Sequence, residues 1–242
     1  MNQFHFLFDI DGTLTEYKQG ALSHLLCGNF LFPVLAELAR KYGISAEEAE
    51  RRIDKLAGEK KGWDYPDFFE CLGLSRSEAL PVLRKWHSEN LDVYEDTVRL
   101  VRFLTGKNVP VSVISNNPYT GCLLKLERCG LADSASGKSV FSKILSTEIM
   151  QGCKGNPGAW ENALNALHAG NECKTVMVGD HVREDGILPL SYGIHRVFLL
   201  DRLGKKYVAP SGGLVFNNSD AVVEYLNRHP EEYSGIEPVP AF

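Results

Sequence analysis

The chain has 242 residues, of which 44% are hydrophobic and 24% are charged, and its formal net charge is −5. This composition is typical of a soluble globular protein, and the length suffices for one large domain or for a core with a smaller module. The negative net charge argues against a nucleic acid polymer or an acidic membrane surface as partner, because phosphate groups bind clustered lysine and arginine.

The sequence also predicts a cytoplasmic protein. No stretch approaches the roughly 20 apolar residues of a membrane-spanning helix, and the first residues do not follow the charged and then apolar pattern of a signal peptide. The six cysteines show neither a CxxC pair nor a zinc-like spacing, so we expect reduced thiols. Nothing in the sequence indicates the oligomeric state.

The first predicted element is a buried strand that ends in two carboxylates. An apolar run from Phe4 to Phe8 precedes Asp9 and Asp11, and Gly12 breaks the strand. Side chains two positions apart in a strand share a face, so we expect both carboxylates to act on one ligand. Two negative charges this close repel each other, and a bound hard divalent cation is the usual way in which a protein offsets that repulsion.

Residues 16 to 94 contain no convincing strand and are predicted to be helical. The helix signals are, in chain order, the stripe Leu35, Leu38, Ala39 and Tyr42 that ends at Gly43, the capping pair Ser45 and Glu48, the start Tyr65-Pro66, and the capping pair Ser75 and Glu78. We interpret this stretch as a small helical domain inserted after the first strand.

From Asp96 onward, strand and helix patterns alternate. The predicted strands are Val111 to Ile114, a weaker one from Lys143 to Leu145, and then Thr175 to Val178 and Arg196 to Leu200, which are the last two strong strands. Such alternation predicts a parallel sheet that is covered by helices on both faces. We therefore expect an α/β core domain from residues 1–15 and 95–228, a helical domain from 16–94, and a mobile tail from 229–242.

Polar residues follow the predicted strands at their carboxyl ends. The clusters are Asp9 and Asp11, then Ser115, Asn116 and Asn117, then Lys154, and finally Asp180 and Asp185. In a parallel sheet these ends meet at one edge. Carboxylates suit a hard cation such as Mg²⁺, and lysine and serine suit a phosphate, so the set favours phosphoryl transfer over acyl or hydride transfer.

Four segments resemble a known family. FDIDGTLT, VISNN, Lys154 and GDHVRED, in this order, resemble the four motifs of the haloacid dehalogenase-like (HAD) hydrolase superfamily. The resemblance covers residues 4 to 201 and implies a Rossmann-like parallel sheet. It also implies that the inserted helical domain is a cap of the four-helix (C1) type.

The resemblance implies a role for each residue in these motifs. Asp9 is implied to be the nucleophile and a Mg²⁺ ligand, and Asp11 is implied to be the general acid and base and, through its backbone carbonyl, a second Mg²⁺ ligand. The implied phosphate-binding residues are Ser115, Asn116 and Lys154. Asp180 is implied to be a Mg²⁺ ligand, and Asp185 is implied to be a further ligand or a residue that orients the waters on the metal.

The sequence departs from the family pattern in two places, and two lysines stand outside the motifs. Gly155-Asn156-Pro157 follows Lys154 where the family usually has proline directly, so Lys143 and Lys138 are alternatives for that role. His181 stands where a small polar residue is commoner, and we expect a loop histidine without catalytic duty. Lys60 and Lys61 are expected to be solvated rather than to face the substrate.

Asp11 discriminates between reactions within the superfamily. Dehalogenases and phosphonatases differ at this position, whereas an aspartate favours an oxygen leaving group. The resemblance therefore implies a Mg²⁺-dependent phosphatase that acts on a small phosphorylated metabolite. A sugar phosphomutase with the same catalytic residues and a non-catalytic protein that binds a phosphorylated ligand remain alternatives, and the physiological substrate stays open.

Overall fold

The computed structural model describes residues 4–19, 21, 33–60, 63–168 and 173–229. The strands among these residues are, in chain order, β1 (Phe4–Phe8), β2 (Thr15–Tyr17), β3 (Leu91–Val93), β4 (Val111–Ile114), β5 (Ala132–Asp133), β6 (Lys138–Ser139), β7 (Ile144–Leu145), β8 (Lys174–Gly179), β9 (Arg196–Leu200) and β10 (Gly213–Phe216). The helices are α1 (Pro33–Arg40), α2 (Ala46–Glu59), α3 (Tyr65–Cys71), α4 (Arg76–Asn90), α5 (Glu95–Gly106), α6 (Tyr119–Arg128), α7 (Thr147–Met150), α8 (Ala159–His168), α9 (Leu188–Ser191) and α10 (Ser219–Arg228). A π-helical turn, Val182–Ile187, leads into α9.

β1 lies inside a six-stranded sheet of order β10-β9-β8-β1-β4-β7, and each neighbouring pair is parallel. Phe6 of β1 lies opposite Val111 of β4 and Val176 of β8. All five residues of β1 are buried, as is typical of a parallel sheet with helices on both faces. The predicted α/β fold with a Rossmann-like parallel sheet is confirmed.

The side chains of β1 divide between two hydrophobic clusters on opposite faces of the sheet. Phe6 and Phe8 join a cluster that includes Val98 of α5, whereas Leu7 joins a cluster that includes Trp160 of α8. Alternation of this kind follows from the two-residue repeat of a strand. Residues that follow β1 directly are therefore held by a strand that is packed on both faces.

Helices α1 to α4, which we call the helical module, pack around an apolar cluster that contains Phe68 and Leu83 and that also includes Leu124 of α6. The predicted helix starts are largely confirmed, and Ser45 accepts a hydrogen bond from the Glu48 N–H at 3.2 Å. The predicted capping pair of α4 is confirmed only in part: Ser75 is the N-cap residue of α4, but its hydroxyl donates to the Glu78 carboxylate at 2.5 Å and caps no backbone N–H.

The prediction that residues 16 to 94 lack strands is wrong. β2 and β3 form an antiparallel pair in which Thr15 lies opposite Val93 and Tyr17 lies opposite Leu91. Each strand has only three residues, which is too short for an alternating pattern to be visible in the sequence. This pair brings the two chain segments that flank the helical module together at the core.

β10 adds a parallel edge strand beside β9, and α10 follows it; this strand is not among those predicted from the sequence. The four residues of β10 are only partly buried, as is usual for an edge strand, and its apolar run from Leu214 to Phe216 is only three residues long. Within the described part of the chain, no helix is long and apolar enough to cross a membrane. Of the expected mobile tail, 229–242, all residues from 230 onward lie outside the described part of the chain.

Candidate active site

Asp9 is fixed at the carboxyl end of β1. Its backbone N–H donates to the carbonyl of Val178 in β8 at 2.9 Å, so the strand pairing continues up to this residue. The chain then turns at Gly12, which has φ +76°. A Cβ atom at Gly12 would lie 2.3 Å from Asp180 Oδ2. Glycine is therefore required both by the backbone conformation and by the close approach of the Asp180 carboxylate.

The end of β4 contributes Ser115 and Asn116 to the same edge. Ser115 is buried, and its hydroxyl accepts a hydrogen bond from Asn117 Nδ2 at 2.6 Å. The side-chain oxygen of Asn116 accepts from the Lys154 backbone N–H at 2.7 Å, and its Nδ2 donates to the Glu184 carboxylate at 2.8 Å. Asn116 thus ties three loops of the edge together.

Lys154 lies in the middle of the acidic group. Its ammonium is almost fully buried and donates to Asp9 Oδ1 at 2.7 Å and to Asp185 Oδ1 at 2.5 Å. Burial alone lowers the pKa of Lys154, but Asp185 and Asp9 outweigh burial and raise that pKa above its ordinary value. Lys154 therefore stays positively charged.

The two alternatives to Lys154 lie elsewhere. Lys143 donates to the backbone carbonyls of Ala166 and Leu167. Lys138 is an exposed residue of the short β5–β6 pair. Among these three lysines, only Lys154 contacts the carboxylates of the sheet edge.

Asp180 and Asp185 follow β8. Asp185 lies in the π-helical turn, is fully buried, and accepts a hydrogen bond from the His181 backbone N–H at 3.0 Å. A Cβ atom at Gly179 would lie only 2.4 Å from Asp185, so the turn folds closely over the strand end. The side chain of His181 caps the π-helical turn, because its Nδ1 accepts a hydrogen bond from the Glu184 N–H at 3.1 Å.

Asp9, Asp180 and Asp185 form a group in which one carboxylate oxygen of each lies within 4.8 Å of the others. Burial raises the pKa of Asp180 to about 6, and Asp185 adds to the rise. Burial also raises the pKa of Asp9, with Lys154 opposing and the other acids adding to it. Three carboxylates face one ammonium, so the donor set and its charge fit a hard divalent cation such as Mg²⁺.

The Asp11 side chain is not part of this group. Its Oδ1 contacts Lys125 Nζ at 2.6 Å, and its Oδ2 accepts from Asn117 Nδ2 at 2.5 Å. Burial raises the pKa of Asp11, but Lys125 and Asn117 outweigh burial and bring that pKa below its ordinary value. Any role of Asp11 as a metal ligand therefore falls to its backbone carbonyl, as the resemblance implies, and stays a prediction.

Sequence reasoning missed Lys125, although a signal for it exists. Lys125 lies in α6 among buried neighbours, three positions after Cys122 and four before Cys129. A lysine on the apolar face of a helix needs a partner for its charge. The sequence alone does not identify that partner as Asp11, because 114 positions separate the two residues.

Lys60 and Lys61 were expected to be solvated. Lys60 is exposed and pairs with Asp67 of the helical module at 2.6 Å, which agrees with that expectation. Lys61 lies outside the described residues.

Comparison with known proteins finds one family and several relatives. A profile described as haloacid dehalogenase-like hydrolase matches residues 5–187. The pyrophosphatase PpaX of Halalkalibacterium halodurans is 27% identical over 180 residues, which cover 72% of this chain and 74% of that protein.

Solved structures agree with this match. A HAD phosphatase from Thermococcus onnurineus is 25% identical and superposes with a TM-score of 0.58, with 92% of this chain and 97% of that chain covered. A 2-haloacid dehalogenase from Pseudomonas syringae pv. Tomato DC3000 is 20% identical with a TM-score of 0.56, and 94% of this chain and 99% of that chain are covered. At that identity the second likeness concerns the fold alone.

Proposed function

This chain belongs to the haloacid dehalogenase-like hydrolase family, and within it we propose that the chain is a Mg²⁺-dependent phosphatase. The proposed substrate is a small phosphomonoester, and the proposed intermediate is an aspartyl-phosphate on Asp9. The observation that carries the proposal is the position of Lys154 Nζ, within 2.7 Å of Asp9 and 2.5 Å of Asp185 at the carboxyl edge of the sheet. A buried cation beside a buried carboxylate suits both an ionised nucleophile and a phosphoryl group.

In the first proposed step, an Asp9 oxygen attacks phosphorus and the bond between phosphorus and the leaving oxygen breaks. Asp11 gives its proton to that oxygen. In the second step, the ionised Asp11 takes a proton from a water molecule, whose oxygen attacks phosphorus and releases Asp9. Lys125 and Asn117 favour the ionised form for the second step, and the negative charge of a bound phosphate ester favours the protonated form for the first.

Ser115, Asn116 and Lys154 are the proposed phosphate-binding residues. Asp9, Asp180 and Asp185, with the Asp11 backbone carbonyl, would hold Mg²⁺, which when bound neutralises charge on the phosphoryl oxygens. The 4.8 Å grouping of the three carboxylates supports this assignment.

We propose that the helical module is the substrate-selecting cap of residues 16–94. Two observations support this role. The module packs around an apolar cluster to which the core contributes Leu124 of α6, and the β2–β3 pair joins the module to the core. A direct contact to the core is made by Asp64, which accepts hydrogen bonds from the Thr120 N–H at 2.8 Å and from the Thr120 hydroxyl at 2.5 Å. Thr120 follows the Ser115 loop by only a few residues, so this contact lies beside the proposed site.

A cytoplasmic location is also part of the proposal. The cysteines that the structure describes, Cys71, Cys122, Cys129, Cys153 and Cys173, are free thiols, and Cys27 lies outside the described residues. Free thiols are typical of a reducing compartment.

The test is phosphate release from a panel of sugar phosphates, nucleotides and phosphorylated acids, with Mg²⁺ or with EDTA. Inorganic pyrophosphate is included, because a relative of this chain is named a pyrophosphatase. We expect release with Mg²⁺, none with EDTA, and none from Asp9→Asn. Asp220→Asn is the matched control, since Asp220 is an exposed aspartate that pairs with Arg99.

Other outcomes would contradict the proposal in different ways. Metal-independent release of halide from a 2-haloacid would indicate a dehalogenase. Isomerised sugar phosphate without phosphate release would indicate a phosphomutase. Tight binding of a phosphorylated compound without turnover would indicate a binding protein.

A further inference from the structure

The ion pair between Lys125 and Asp11 is buried on one side only. The Lys125 side chain is 1% exposed, whereas the Asp11 side chain is 40% exposed. The ammonium thus approaches the carboxylate from the interior of the core, and the other side of the carboxylate is open. An acid held in this way presents its free lone pairs outward.

The second carboxylate oxygen of Asp11 is held as well. Asn117 Nδ2 donates to Asp11 Oδ2 at 2.5 Å and to Ser115 Oγ at 2.6 Å. Asn117 therefore links the acid to a proposed phosphate-binding hydroxyl through a single amide nitrogen. With both oxygens fixed, the orientation of the carboxylate relative to the phosphate position is set by Lys125 and Asn117 together.

Stability does not explain the presence of a lysine at position 125. Moving an ammonium into the interior costs several kcal/mol, and buried ion pairs often contribute little net stability compared with apolar residues of similar volume. The Lys125 side chain is itself fully buried, so an apolar residue of similar volume at this position would avoid the cost of burying a charge. The charge is therefore better explained by what it does to Asp11.

Lys125 also contacts the segment that connects the core to the helical module. Its Nζ lies 4.5 Å from the ring centroid of Tyr17 in β2, and that ring packs against Trp86 of α4 at 5.8 Å. A cation over an aromatic face is attracted to it. This contact limits the directions in which the ammonium can move away from Asp11.

We propose that Lys125 is a positioning residue that holds the Asp11 carboxylate where it meets the leaving oxygen of the substrate. This proposal rests on the proposed function. Lys125 does not touch the substrate, and it acts through the placement of Asp11. General acid catalysis contributes about 10²- to 10⁴-fold to a rate, and a misplacement of about 1 Å can remove much of it.

The test compares two aryl phosphates of similar shape, phenyl phosphate and p-nitrophenyl phosphate, with Mg²⁺. The phenolate leaves with more difficulty than the nitrophenolate and so depends more on proton donation. We expect Lys125→Met to lower kcat/KM for phenyl phosphate about 10- to 100-fold more than kcat/KM for p-nitrophenyl phosphate, because kcat/KM reports the first step, in which the leaving oxygen is protonated, whereas the second step is the same for both substrates. Lys125→Arg, which keeps the charge, is expected to restore part of the loss.

A double-mutant cycle separates positioning from general damage to the fold. In the Asp11→Asn background, Lys125→Met is expected to lower kcat no further, because no acid remains to be positioned. Lys143→Met is the matched control, since Lys143 donates to backbone carbonyls of α8. It is expected to leave the ratio of the two kcat/KM values unchanged. If Lys125→Met does not fold, Lys125→Gln carries the same test with a neutral hydrogen-bond donor.

Each contrary result has a distinct meaning. Equal losses on both substrates, or losses that add to those of Asp11→Asn, would overturn the positioning role of Lys125 and leave the proposed function intact. If Asp11→Asn does not distinguish the two substrates, both the acid role of Asp11 and the positioning role are overturned. If the unmodified chain hydrolyses neither aryl phosphate nor any member of the wider panel with Mg²⁺, the proposed phosphatase activity fails first.

Discussion

The interior of the helical module and the carboxyl edge of the sheet are both buried, but they are stabilised in opposite ways. The module is filled by apolar side chains such as Phe68, Phe69 and Leu83, and each of them gains free energy from leaving water. The edge buries Asp9, Asp185 and Lys154, and each of these ions loses hydration. The edge is therefore the part of the molecule where charged groups are buried although their loss of hydration lowers stability, as is common at functional sites.

The largest expected effect separates activity from stability at the edge. Asp9→Asn should lower turnover by about 10⁴-fold or more, because the proposed nucleophile is lost. The free energy of unfolding should change by no more than about 1 kcal/mol, since one of three crowded carboxylates is removed along with one partner of Lys154. Single-turnover kinetics and urea unfolding check the two parts. Near-normal turnover would mean that another residue is the nucleophile.

The next largest effect is a loss of stability rather than of activity, and it concerns the helical module. Phe68→Ala should lower the free energy of unfolding by about 3–5 kcal/mol, because Phe68 is fully buried and the substitution leaves a cavity. Leu203→Ala is the control, since Leu203 is 76% exposed, and it should change stability by less than about 0.5 kcal/mol. Urea unfolding measures both, and equal effects of the two substitutions would contradict the assigned packing of the module.

Mg²⁺ should stabilise the folded chain by binding at the edge of the sheet and not at the module. At about 100 times its dissociation constant, a ligand that binds only the folded chain adds about 2.7 kcal/mol. We expect a rise of Tm with Mg²⁺ that Asp180→Asn reduces strongly and that Asp92→Asn, at an exposed position of β3, leaves intact. The same rise in both variants would place the cation elsewhere.

The smallest predicted effect is a change of the free energy of unfolding with pH, which has opposite signs for one residue of the module and one residue of the edge. Burial lowers the pKa of His87 in α4 to about 3, so the folded chain binds fewer protons there than the unfolded chain. His87 therefore stabilises the fold above its unfolded pKa of about 6.5 and less so as pH falls toward 3. Between pH 7 and 5 the loss is about 2 kcal/mol.

Asp180 behaves in the opposite way when no metal is present. Its pKa is raised to about 6, so its contribution to stability is complete below its unfolded pKa and is lost as pH rises through 6. Between pH 7 and 5 the gain is about 1 kcal/mol. Urea unfolding in EDTA should show a shallower acid loss for His87→Gln and a steeper one for Asp180→Asn. Parallel pH curves for both variants would contradict these signs.

The convergence of the site was predictable from the sequence because it depends on fold class. Once alternating strands and helices indicate a parallel sheet, the residues after β1, β4 and β8 must lie at one edge. The structure brings Asp9, Lys154 and Asp185 into direct contact there. The helices of the module were predictable for a similar reason, since their spacing and caps are local in sequence.

Short or partly buried elements could not be predicted. The three-residue strands β2 and β3 have no continuous pattern, and their pairing joins segments that are distant in sequence. The apolar run of the edge strand β10 has only three residues. The hydrogen bond of Ser75 to the Glu78 side chain likewise results from a choice among several local partners, which spacing alone does not decide.

The fold class, the helical content of the inserted segment and the edge at which the acids meet could be read from the sequence, because they follow from periodicity and strand direction. The different partners of the two acids in the first motif became visible only in the packed fold. Asp9 is held by Lys154 and Asp11 by Lys125. The physical reason is that electrostatic pairing depends on distances of a few ångströms between side chains from remote elements, and these distances exist only once the sheet and its helices have packed.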